Sequence, residues 1–135
     1  MSATTTADPR NAASTHPRQA AYQRARKAFD VAKKRLVELL VARKIRYDNQ
    51  MSEPEINEMC KREIECEHES GYLHAQDVLN AAEKNLIAWG RKQIAALPEP
   101  EGPERKALEV FEEARYPFQH RDQLIEVILR MPSSE

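Results

Sequence analysis

The stretch Ser52-Glu53-Pro54-Glu55 constrains this chain more than any other. Serine ahead of a first turn that carries proline, with glutamate three residues on, is a capping box. The serine oxygen accepts from an amide inside the helix, and the glutamate reaches back to the serine amide. A helix therefore begins here. Apolar residues recur at three-four spacing on both sides of the box. Before it they are Tyr22, Ala25, Phe29, Ala32, Leu36, Leu39, Leu40 and Tyr47. After it they are Ile56, Cys60, Ile64, Gly71, Ala75, Val78, Ala82, Leu86 and Trp89. Each series lies on one face of a helix. Two long helices joined by a short polar turn, Asp48 to Met51, fold back antiparallel. The expectation is an all-α chain: a long antiparallel helical hairpin with one or two short C-terminal helices packed on its open end. Two helices alone enclose no core, so dimerisation to a four-helix bundle is a second way to complete it.

The expected helices are 17–48, 53–97, 103–115 and 120–131. Pro17, with Thr15 as cap, opens the first, and Pro103 opens the third. Pro98 and Pro100 close the second, and Tyr116-Pro117-Phe118 separates the last two. Residues 1–16 are small, polar and aperiodic, and are expected to be a disordered or partner-ordered arm before a single domain at 17–135. Only 3 glycines occur in 135 residues, which argues against a turn-rich β fold and a glycine-rich phosphate loop. Gly71 and Gly90 each cost a helix about 1 kcal/mol against alanine and mark the expected break points.

Folding the chain about residue 50 pairs Leu40 with Cys60, Leu36 with Ile64, Ala25 with Ala75 and Tyr22 with Val78. Phe29 then falls opposite Gly71, which is either a notch for the ring or a plain helix break. At 1.5 Å per residue the helices span about 46 and 66 Å, so the last third of the second overhangs. Leu86, Trp89, Ile94 and Leu97 need another cover there. Six of the eight residues in 124–131 are apolar, more than one surface stripe requires. This segment reads as a helix, since a strand would have no partner. Trp89, Leu124, Ile125, Ile128 and Leu129 are the expected interface residues, with core as the alternative.

Charge is segregated. Ten Lys/Arg lie between Arg18 and Arg46 against Asp30 and Glu38 alone, and nine Asp/Glu between Glu53 and Glu83 against Lys61 and Arg62 alone. Pairing across the hairpin is the plain reading, worth about 0–1 kcal/mol per exposed pair. The alternative is a nucleic-acid face on the first helix carried by Arg24, Lys27, Lys34 and Arg35. Against it, the formal net charge is −1, and the aromatic interleaving of single-strand binders is missing.

Candidate metal ligands are confined to Glu65 and His68, three apart on one helix, as in the Glu-x-x-His element of di-iron bundles. The second such helix is absent, so only a dimer would complete a site. Glu67 falls in the apolar stripe opposite Lys33, an expected structural ion pair. Cys60 is expected as a small core residue. Cys60 and Cys66 lie on different faces of one helix and cannot pair with each other. Unpaired thiols and the absence of an apolar leader in the first residues point to a reducing cytoplasm. No nucleophile–base arrangement, phosphate loop or dinucleotide fingerprint is present. The expectation is therefore a non-catalytic interaction or assembly protein, such as a structural subunit, a phage-type adaptor or a small regulator. It would need no cofactor, bind a protein partner or itself, and have terminal arms that order on binding. A metal-binding four-helix-bundle dimer is a third alternative.

Overall fold

The computed structural model describes residues 15–98 and 101–132. Among these, every regular element is a helix: α1 Pro17–Ala42, α2 Glu53–Glu69, α3 Tyr72–Ala95, α4 Pro103–Glu113 and α5 Phe118–Leu129. The chain is the expected all-α hairpin with C-terminal helices. Most of the expected arm, residues 1–14, lies outside the described residues. The chain divides into two compact units, Arg24–Asn80 and Met1–Gln23 with Ala81–Glu135.

In the unit Arg24–Asn80, α1 ends at Ala42 rather than at residue 48. The Lys44 amide donates to Val41 O and the Ile45 amide to Leu40 O. Lys44 itself sits at φ 56°, in the left-handed region. These bonds are a Schellman ending, with lysine where glycine is usual. Residues 43–52 then form the connection, and α2 opens on the capping box as expected. The Glu55 amide donates to Ser52 Oγ at 3.4 Å, and the Ser52 amide to Glu55 Oε1 at 2.9 Å.

Helix α2 stops at Ser70 and Gly71. Gly71 has φ +79°, and a Cβ there would meet nothing within 4 Å. It is a break that needs left-handed backbone, not a notch for Phe29. The Ser70 hydroxyl accepts from the Tyr72 amide at 3.2 Å and restarts the helix as α3. Phe29 packs on the Tyr72 ring instead, with centroids 5.3 Å apart.

The buried face of α2 differs from the expected stripe. Cys66 and Ser70 are buried, with Met59, Arg62 and Glu63 half-buried, while Ile56, Cys60 and Ile64 are exposed. The expected pairings of Leu40 with Cys60 and of Leu36 with Ile64 therefore do not form a core. The cause is the connection. Arg62 donates to the Arg43 carbonyl at 2.8 Å, and Tyr47 donates to Glu63 at 2.7 Å. Residues that follow α1 thus lie along α2 and turn its polar partners inward. Higher up, Ala25, Ala32 and Leu36 of α1 and Ala75 and Leu79 of α3 are buried as core, whereas Val78, expected there, is exposed.

The other unit is built on the first turns of α1, the second half of α3, and α4 and α5. Leu86, Ile94, Leu124 and Ile128 are fully buried. Each such side chain contributes about 1.5–3 kcal/mol on leaving water. The overhang of the second helix is thus covered by the C-terminal helices. Gly90 does not break α3. A Cβ there would collide with the Ile128 side chain, so glycine lets α5 approach closely. Gln19, 2% exposed, donates from Nε2 to Ile128 O at 2.8 Å and Met131 O at 2.9 Å. It adds a second donor at the end of α5 and ties α5 to the start of α1. His16 stacks on Trp89 with centroids 4.5 Å apart. Arg105 donates to the carbonyls of Ala95 and Leu97 and so caps α3.

Candidate functional site

The residues expected to form an interface are placed inside the fold. Trp89 is 6% exposed, Leu124 and Ile128 0%, Ile125 3%, and Leu129 is half-buried. Contacts with this chain's own helices account for their apolar character. The expectation that they are held open for a partner is therefore corrected: α5 closes onto α1 and α3 through Gln19 and Gly90.

The expected metal pair lies at a shallow open cleft. Glu65 and His68 are both exposed and share the cleft with Arg43 and Glu69. Arg43 forms an ion pair with Glu69, so a fixed positive charge occupies the place where a cation would need ligands. Among the described residues, no group of three His, Cys, Asp or Glu side chains is placed to hold a metal ion. The expected pair of Lys33 with Glu67 also does not form. Neither residue has an ion pair among the described residues, and Arg43–Glu69 is the cross-hairpin bond in their place.

Cys66 is fully buried, and Cys60, expected in the core, is exposed; both are unpaired thiols. The Tyr47 hydroxyl lies 3.4 Å from Cys60 Sγ and 2.7 Å from Glu63 Oε1. These two contacts raise its phenol above the ordinary range. Tyrosine, thiol and carboxylate here fasten the connection to α2, and the Tyr47 and Cys60 side chains are exposed.

Most of the segregated charge is left unspent. Between Arg24 and Asn80, the ion pairs among the described residues are Arg26–Asp30, within α1, and Arg43–Glu69. Arg24, Lys27, Lys34 and Arg35 are all exposed on α1 and have no ion pair among the described residues. The same unit exposes large apolar side chains: Val31, Val37 and Val41 on α1, Ile56 and Ile64 on α2, and Val78 on α3. Sequence spacing had placed Ile56, Ile64 and Val78 in a core. For Ile56 and Ile64, what hid their exposure was the length of α1, which a lysine in a left-handed C-terminal position shortens.

One buried acid lies in the other unit. Glu83, its side chain 9% exposed, has Oε1 at 3.7 Å from Arg121 Nη1. This is a structural pair that steers α5 onto α3. No helix among the described residues is long and apolar enough to cross a membrane. The chain matches no family model, no curated protein and no solved structure.

Proposed function

We propose that this chain is a non-catalytic helical interaction or assembly protein that binds through its hairpin and not through its C-terminal helices. The observation that carries the reading is the combination found in the unit Arg24–Asn80. Exposed valines and isoleucines lie beside basic residues that have no ion pair among the described residues. Exposed apolar patches beside polar residues mark association surfaces. The reading includes a reducing compartment, in keeping with two unpaired thiols.

The test places a photo-reactive amino acid at position 64 in cells that make the chain. A discrete protein adduct, lost when Val37→Asp is added, supports the reading. Adducts to nucleic acid, or no discrete adduct, overturn it.

A second reading is favoured by the exposed, unpaired Arg24, Lys27, Lys34 and Arg35: a nucleic-acid ridge on α1. It predicts salt-sensitive retention on DNA or RNA, reduced in Lys34→Glu with Arg35→Glu. No retention at low salt removes it.

A further inference from the structure

We infer that the occupant of the exposed hairpin face is a second copy of this chain, packed so that the basic α1 of each copy lies on the acidic α2 of the other. The inference rests on the interaction reading above and names its partner.

The face follows from helix geometry. On α1, Lys33 and Val37 each come one residue after a core position, Ala32 and Leu36, and Leu40 follows the half-buried Leu39. On α2, Cys60, Ile64 and Glu67 each come one residue after Met59, Glu63 and Cys66, which line its inner face. One residue is a turn of about 100°. In two right-handed helices running antiparallel, that same turn carries both sets to the same side of the pair. Val37 and Ile64 are 50% and 51% exposed there, Lys33 and Cys60 are exposed, and Leu40 and Glu67 are half-buried.

The hairpin register sets the heights. Phe29 meets Tyr72, and Arg62 reaches the Arg43 carbonyl, so Val37 stands about level with Ile64. A two-fold axis can lay this face on itself in two ways. An axis across the helices puts α1 on α1, so that Lys33 approaches the basic helix of the second copy and Glu67 its acidic one. An axis along the helices keeps every height and puts α1 on α2. Lys33 then meets Glu67 of the second copy, Val37 meets Ile64, and Leu40 meets Cys60. Charge complementarity selects the second arrangement, since like charges across an interface are strongly disfavoured. Neither Lys33 nor Glu67 has an ion pair among the described residues.

The test is sedimentation equilibrium of the full chain at low and high salt. The expected mass is twice the 15.5 kDa of one chain, with weaker association at high salt. Val37→Asp and Ile64→Asp, each at a half-exposed site, are expected to give single chains with an unchanged helical spectrum. Lys33→Glu and Glu67→Lys are each expected to weaken the dimer about tenfold, because the two-fold repeats each change twice, and the double swap to recover most of that. A single-chain mass at all concentrations overturns the inference, as does a dimer that survives both aspartate variants, or a double swap no tighter than the single ones. If the pure chain is single while position 64 still captures another protein in cells, the second copy is wrong and the interaction reading stands.

Discussion

Gly90 and Ile128 show how much of this fold depends on single side chains. The helix would gain about 1 kcal/mol from alanine at 90. The added carbon, however, lands on Ile128, which is 0% exposed and has nowhere to move. Gly90→Ala is expected to lose about 1–3 kcal/mol of stability in urea unfolding, the usual cost of overpacking. In an Ile128→Ala background the same change should turn neutral or favourable, and an equal loss in both backgrounds would refute the contact. Glu55 is the residue whose charge helps hold an element start. Its bonds with Ser52 lower its carboxyl from 4.5, so the folded state binds that proton less readily than the unfolded chain. The stabilisation is present above the unfolded value and lost as pH falls through the folded one. Glu55→Gln keeps a capping side chain without a charge. Its unfolding midpoint should therefore fall less steeply than that of the native chain as the pH drops below 4.5.

At the scale of elements, the starts at Pro17, Glu53 and Pro103 were legible, while the last helix begins at Phe118 rather than at 120 and the end of α1 was not legible. The capping box and Pro103 announce their helices because each signal is local chemistry on adjacent residues. The end of α1 depends on Lys44 adopting a left-handed backbone, for which lysine gives no sign. That one conformation moved the connection, laid Arg43 and Tyr47 along α2 and turned Ile56 and Ile64 outward. Lys44→Gly removes the steric cost of that conformation, of order 1 kcal/mol. Denaturant melts should show a gain of about 0.5–1 kcal/mol, less than the full strain because glycine is also freer when unfolded. A loss would mean that the Schellman ending does not persist in solution. Glycine showed a similar ambiguity. Gly71 and Gly90 look alike in the sequence, yet one breaks a helix and the other admits a neighbour, and only the position of Ile128 separates them.

For the whole molecule, the apolar tail and the charged hairpin exchange the roles that composition suggests. The segment 124–131 looks built for a partner, yet Leu124, Ile125 and Ile128 are this chain's own core, held by Gln19 and by the space at Gly90. Its burial was legible from its density of apolar residues, and its packing on the open end of the hairpin was expected, but the share taken by the start of α1 was not. The cover comes from residues more than one hundred positions away, as the Gln19 bond to Ile128 shows. The segregation of charge between α1 and α2 was legible in full. That Arg43–Glu69 is the one ion pair across the hairpin among the described residues was not, because that depends on which side of each helix faces its neighbour. On the proposal above, the C-terminal helices serve folding and the hairpin serves binding. Amide hydrogen exchange, followed by peptide as the chain is concentrated, tests this most directly. Peptides from 124–129 should be protected to the same degree at every concentration, while 33–44 and 56–67 gain protection as the chain is concentrated. Protection that appears at 124–129 only on concentration, with the hairpin unchanged, would contradict the account.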